Sequence, residues 1–248
     1  MDSVSTAKAT KPLGGKAYGS IPHLPGSRRG PADYGCHEGQ ARIATEKTRD
    51  RHDHVIVQEK LDGSCVAVAK VHVVTIPLSR AGYHARTSPF TMHHKFADWV
   101  SRPDVAARFD SLLADGERVC GEWLYQAHGT RYVLPHEPLV VFDIFRDGAR
   151  VPYDEFSARA KACGFTVPRL IHRGEAFSVA DAMAAVETSG HGAIDPVEGA
   201  VWRVERNGKV DYLVKFVRSG KVDGCYLPDV SGTGVDVLNE WPASVGEF

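Results

Sequence analysis

Val55-Ile56-Val57-Gln58-Glu59-Lys60-Leu61-Asp62-Gly63-Ser64 is the stretch on which the reading of this chain turns. Three β-branched residues in a row read as a strand, and Asp62-Gly63 reads as a tight connection after it. Val66 to Ile76 is again dense in β-branched residues, so the spacing predicts strand, tight connection, strand, with Lys60 at the end of the first strand. A lysine followed at two and three positions by Asp and Gly can serve as a covalent nucleophile for a nucleotide. Alone the pattern is weak, because at average residue usage K-x-D-G arises by chance in about one chain of this size in twenty. A surface lysine beside a β-turn fits the same four residues.

Further segments follow in a fixed order: Ser79-Arg80-Ala81-Gly82, Gly121-Glu122-Trp123-Leu124, Val141-Phe142-Asp143-Ile144-Phe145, Glu198-Gly199-Ala200-Val201 and Leu213-Val214-Lys215-Phe216. The ordered series resembles the nucleotidyltransferase motifs of the covalent lysyl-AMP superfamily, which contains ATP-dependent DNA ligases, RNA ligases and mRNA-capping guanylyltransferases. The resemblance runs from about residue 55 to about residue 218. It implies ATP and Mg2+ (or Mn2+) as cofactors, and a lysyl-AMP phosphoramidate at Lys60 with release of pyrophosphate. It also implies roles residue by residue. Glu59 lies near the adenine edge, Asp62 and Gly63 shape the nucleophile's loop, and Glu122 meets the ribose. Phe142 stacks on the purine, Glu198 is the carboxylate associated with the metal, and Lys215 reaches the α-phosphate, with Arg80 a further cation near the triphosphate.

Within that superfamily, Cys65 stands where DNA ligases and capping enzymes carry an arginine, and the residues after Lys215 leave no room for an OB-fold. Gly121 to His136, and the earlier His23-Leu24-Pro25-Gly26-Ser27-Arg28, resemble stand-alone bacterial and phage RNA-ligase-like proteins. Leu213 departs from the pattern, occupying the place of a motif lysine. The resemblance thus implies an ATP-dependent RNA ligase that transfers AMP to a 5′-phosphate and seals it to a 3′-hydroxyl. A minimal DNA ligase, or a nucleic-acid-end binding module that is not a competent ligase, are the alternatives. Neither the RNA nor an end-healing partner is identified by the sequence.

Composition bounds these readings without choosing among them. The chain has 248 residues, 43% apolar and 25% charged, enough for one sizeable core. No apolar run reaches the roughly 18 residues of a membrane span, and Met1-Asp2-Ser3-Val4-Ser5 opens no signal peptide, which predicts a cytoplasmic protein. Five scattered cysteines without a C-x-x-C pair predict reduced, mostly buried thiols. The twelve histidines show no zinc-site spacing. The net charge is only −1, but residues 1 to 51 carry nine Lys/Arg against five Asp/Glu, including Arg28 and Arg29, which could meet phosphates.

The organisation predicted is a flexible leader over 1–17, a nucleotidyltransferase domain over 18–221 and a tail over 222–248. Met92, Phe96, Trp99 and Val100, then Val105, Phe109, Leu112 and Leu113, recur at helical spacing on either side of Pro103, predicting two helices. Arg118 to Leu124 and Leu139 to Phe145 read as strands, and Tyr153 to Cys163 as a helix ending at Gly164. Ser178, with Asp181 three residues on, caps a helix expected to reach Gly190. Arg206-Asn207-Gly208 predicts a hairpin that brings Glu198 beside Lys215. Together these elements predict an α+β fold of antiparallel sheets flanked by helices, in a single domain without an OB-fold. A lysine attacks phosphorus only when neutral, so Lys215, Arg80 and the metal are expected to lower the pKa of Lys60.

Overall fold

The computed structural model describes residues 10–242. The front of the leader with Lys8 (1–9) and the end of the tail (243–248) lie outside the described residues. In chain order the elements are α1 (Glu38–Thr45), β1 (Asp53–Lys60), β2 (Ser64–Val71), β3 (Val74–Ser79), α2 (Thr91–Val100), α3 (Pro103–Leu112), β4 (Arg118–Trp123), β5 (Leu139–Arg146) and β6 (Ala149–Arg150). There follow α4 (Tyr153–Ala162), β7 (Leu170–Gly174), α5 (Val179–Ala185), β8 (Gly199–Arg206), β9 (Lys209–Val217) and α6 (Pro228–Ser231). The strands form two antiparallel sheets, β7-β1-β8-β9 and β3-β2-β4-β5-β6, and among the described residues neither closes into a barrel.

Period-two alternation divides each sheet into two faces. In the four-stranded sheet, Val55, Val57, Ala200, Trp202, Val204 and Val214 pack with Ala41 and Ala44 of α1 and Ala182 of α5. In the five-stranded sheet, Val66, Val68, Val119, Trp123, Val141 and Ile144 pack with Phe96 and Trp99 of α2, Phe109 and Leu112 of α3, and Phe156 of α4. The residues between these, Gln58 and Lys60 on β1, Val201 and Arg203 on β8, Leu213 and Lys215 on β9, and Glu122 and Phe142 opposite, face a shared cleft. Helix–sheet–cleft–sheet–helix is the resulting order of layers.

Three local features are set by the structure and not by the sequence reading. Val66 to Ile76 is a hairpin rather than one strand, turning at His72 (φ 49°) and Val73 (φ 60°), with Val71 paired to Val74. A two-residue turn with both central residues left-handed usually announces itself with Asn or Gly, and here it does not. Second, β1 and β2 are not partners: β1 pairs with β7 and β8, and β2 with β3 and β4. Leu61 to Gly63 therefore carries the chain from one sheet to the other. Third, α5 stops at Ala185. Helices α2 and α3 fall where Pro103 predicts, with the proline in the first turn of α3, where its missing N–H costs nothing. The β8–β9 hairpin turns at Asn207 (φ 50°) and Gly208 (φ 72°). Helix α1 and the short strands β6 and β7 have no counterpart in the sequence reading.

The segments set apart as leader and tail are docked on the domain where they are described. Ala17 is buried and its N–H donates to the Arg80 carbonyl (3.0 Å). Asn239 spans from the other end, its amide donating to the Leu124 carbonyl (2.7 Å) and accepting from the Tyr132 N–H (2.8 Å). All five cysteines are unpaired, but only Cys120 is buried; the other four are half-buried. Among the described residues no helix is long and apolar enough to cross a membrane.

Candidate active site

The cleft between the sheets has a volume of about 660 Å³, and Glu59, Lys60, Asp62, Gly63, Arg80, Glu122, Phe142, Glu198 and Lys215 all line it. Strand pairing explains the meeting at its centre. Lys60 ends β1 opposite Gly199, so Glu198, one residue before β8, falls beside it, with Lys60 Nζ 2.5 Å from Glu198 Oε2. The hairpin instead sets Lys215 opposite Val201, and its Nζ lies 3.7 Å from Asp33 Oδ1. The cation that Glu198 meets is thus Lys60 and not Lys215.

The electrostatics at Lys60 run opposite to the expectation. Burial disfavours its ammonium, but the carboxylates of Glu198, Glu122 and Asp62 outweigh this and raise its pKa above the usual lysine range. Arg80 and Lys215 do not govern it, because Arg80 turns its guanidinium to Ser20 Oγ (3.0 Å). Lys215 is itself lowered, first by burial and then by the charge of Lys60. Burial pushes the Glu122 carboxyl up to about 7, Lys60 opposing and Glu198 adding to the shift. Its Oε1 accepts the Gly63 N–H at 3.0 Å. Burial also raises the Glu198 carboxyl, against the pull of Lys60.

Gly63 is needed for space rather than for backbone freedom: a Cβ there would sit 2.6 Å from the Trp123 carbonyl oxygen. Beside it Asp62 is clamped. Its Oδ2 accepts the Gly129 N–H (2.7 Å) and the ammonium of Lys221, which also donates to Thr130 Oγ1 (2.8 Å). Lys221 is buried, and no motif marked it. Glu59 lies on the wall, but its carboxylate accepts from Ser189 Oγ and the Gly190 N–H, both at 2.7 Å.

At the other end of the cleft, Phe142 meets the edge of Tyr18 with ring centroids 5.0 Å apart. Tyr18 donates to Asp143 Oδ2 (2.8 Å), which also accepts from Arg150 Nε (3.0 Å). The other oxygen of Asp143 accepts from Arg203, which sits opposite Leu213 in the β8–β9 register. Neither Tyr18 nor Arg203 carried a sequence signal beyond its residue type. Arg28 is paired with Asp223 at 2.7 Å.

Two antiparallel sheets meeting over a cleft, with a lysine where the chain crosses between them, define a nucleotidyltransferase domain. The sequence model of the RNA ligase family matches residues 53–217, well over half of the chain, and the chain belongs to that family. Solved structures are similar to it. A putative ATP-dependent DNA ligase from Aquifex aeolicus matches at a TM-score of 0.50 and 16% identity, over 82% of this chain and 50% of that one. An archaeal ATP-dependent RNA ligase is 22% identical at a TM-score of 0.48, over 79% of this chain and 48% of that one. A mutant of a Naegleria gruberi RNA ligase with ATP and Mn is 13% identical at a TM-score of 0.49, over 79% and 58%. The chain spans about half the length of these proteins. No curated protein matches it in sequence.

Proposed function

We propose that the protein is an ATP-dependent RNA ligase working through a lysyl-AMP intermediate at Lys60. The observation that carries this reading is Lys60 at the crossing between the sheets. Its Nζ lies on Glu198, with Glu122 and Asp62 around it, in the cleft that also holds Phe142 and Lys215. Membership of the RNA ligase family supports it.

Lys60 must first lose a proton. Its neutral Nζ then bonds to the α-phosphorus of ATP as the bond to pyrophosphate breaks, and the nitrogen gives up a second proton to become the phosphoramidate N–H. An oxygen of an RNA 5′-phosphate next takes the AMP from Lys60, whose nitrogen is protonated as the N–P bond breaks, leaves as an amine and then regains the other proton it lost. Attack by a 3′-hydroxyl, which gives up its proton, finally forms the phosphodiester and releases AMP. Phe142 stacks on the adenine, Glu122 accepts from a ribose hydroxyl, and Lys215 meets the α-phosphate. Once Lys60 is neutral, Glu198 is a buried carboxylate in want of a cation. Among the described residues no three His, Cys, Asp or Glu cluster as metal ligands. Mg2+ commonly takes one or two carboxylates plus substrate phosphates, however, and Glu198 fits that need. Mg2+ or Mn2+ held there would neutralise charge at the α-phosphate and offset the carboxylate that keeps Lys60 protonated. Five unpaired thiols suit a reducing, cytoplasmic setting.

Intact mass spectrometry after incubation with ATP and Mg2+ tests the first step, with an added AMP expected on the wild type and none on Lys60→Ala. Labelling that survives in Lys60→Ala defeats the mechanism. For the substrate, four nicked duplexes differing only in ribose or deoxyribose on either side of the nick are compared, with sealing expected where the 3′-hydroxyl end is RNA. Equal sealing of the all-DNA nick makes the protein a minimal DNA ligase.

A further inference from the structure

The cleft does not end at Lys60. Its lining also takes in Ser64, whose Oγ lies 3.3 Å from His128 Nε2, and side chains of α2 and of the segment around α6, which together make an outer lobe. One wall is Phe90 and His93 at the start of α2, their rings edge to face at 5.6 Å. The other is Leu227 and Val230 of the segment around α6, tied to the floor by the Tyr226 N–H donating to the His128 carbonyl (2.8 Å).

Two features set the chemistry of this lobe. Two of the apolar side chains that line it are open to water, Phe90 65% and Val230 58% exposed, and Leu227 beside them is half-buried. The carboxylates bordering it are already paired, Asp223 with Arg28 and Asp62 with Lys221. Burial lowers the pKa of both His93 and His128, so the imidazoles there are neutral at pH 7 and can donate or accept. A lobe of this kind suits a flat, uncharged heterocycle better than a phosphate. What must reach Lys60 through the open side is a polynucleotide end.

We propose that the outer lobe is a nucleobase subsite, which takes the unstacked base of the nucleotide carrying the 5′-phosphate, stacked on Phe90 and enclosed by Leu227 and Val230. This rests on the reading of Lys60 as the nucleophile. It accounts for an exposed aromatic at the mouth, since a base–aromatic stack covers that ring and tolerates any sequence.

The test uses 5′-phosphorylated oligoribonucleotides whose 5′-terminal nucleotide is either normal or abasic, with wild-type protein and Phe90→Ala. Binding is followed by fluorescence anisotropy without ATP. AMP transfer is followed from preformed lysyl-AMP, so that differences in labelling drop out. Losing one stack is expected to weaken binding and slow transfer about tenfold. The wild type should lose that factor on the abasic strand and the variant on the normal strand, with no further loss when the two are combined. Phe90→Trp should restore the normal-strand values.

A variant that binds and transfers like the wild type overturns the proposal, as does a variant that still loses tenfold on the abasic strand. Normal transfer with slowed sealing would place the 3′-hydroxyl strand in the lobe and overturn the assignment. If the wild type takes no AMP from ATP, the reading of Lys60 fails, and the binding arm still decides the subsite.

Discussion

Lys60 and Glu198, 2.5 Å apart in the cleft, hold each other's charge, and the free protein keeps the proposed nucleophile protonated. Glu198→Ala removes that hold and also the carboxylate that suits the metal. Lys215→Ala removes the cation proposed to meet the α-phosphate. Each is expected to slow Lys60 labelling on the order of 10²- to 10³-fold, measured as the single-turnover rate with labelled ATP. Near-wild-type rates in both would break the assignment of these residues. Glu122 links the site to pH. Its carboxyl moves from 4.5 to about 7 on folding, so between those values the native chain binds more protons than the unfolded chain, and stability falls as pH rises through the window. Glu198 shifts the same way. Urea midpoints of Glu122→Gln should therefore fall less between pH 4.5 and pH 7 than those of the wild type, whereas parallel curves would mean that Glu122 does not titrate there.

Leu61 to Gly63, the three residues between β1 and β2, are held from both sides. Gly63 lies under the Trp123 carbonyl, and Asp62 is gripped by Lys221 from beyond β9. Removing one member of a buried pair strands the other charge, so Lys221→Met is expected to cost about 3 kcal/mol in urea unfolding. Pairing it with Asp62→Asn should recover much of that stability but not the labelling rate. If the double variant labels Lys60 like the wild type, Asp62 has no part in placing the nucleophile. The strands and helices around this connection were legible in the sequence because period-two and period-3.6 patterns are local. The turn at His72-Val73 was not, since neither of its two left-handed residues is the glycine or asparagine that marks such a turn in a sequence.

The two sheets are tied together at Asp143, fully buried on β5, which receives Arg203 from β8, Arg150 from the edge and Tyr18 from the N-terminal segment. Asp143→Ala takes from the buried Arg203 its short carboxylate partner, leaving only Glu205 at 4.0 Å, and is expected to cost about 3 kcal/mol, read from urea unfolding. It should also weaken ATP binding, because Phe142 is its neighbour in the strand and Tyr18 packs on that ring. An unchanged urea midpoint would show that the sheets are held by their cores alone.

Lys60, Glu122, Phe142, Glu198 and Lys215 are marked by order and spacing along the chain, and the alternation around them already implies antiparallel sheets flanked by helices. The chain order could not say which strands are neighbours, because a strand's pattern records its buried face and not its partner. Only the tertiary pairing put β1 and β2 in different sheets, gave Glu198 to Lys60, set Lys221 against Asp62 and brought Tyr18 to the cleft. The charge of Lys60 was decided there too. Protonation follows the carboxylates packed around the ammonium, and those arrive from strands far apart in sequence.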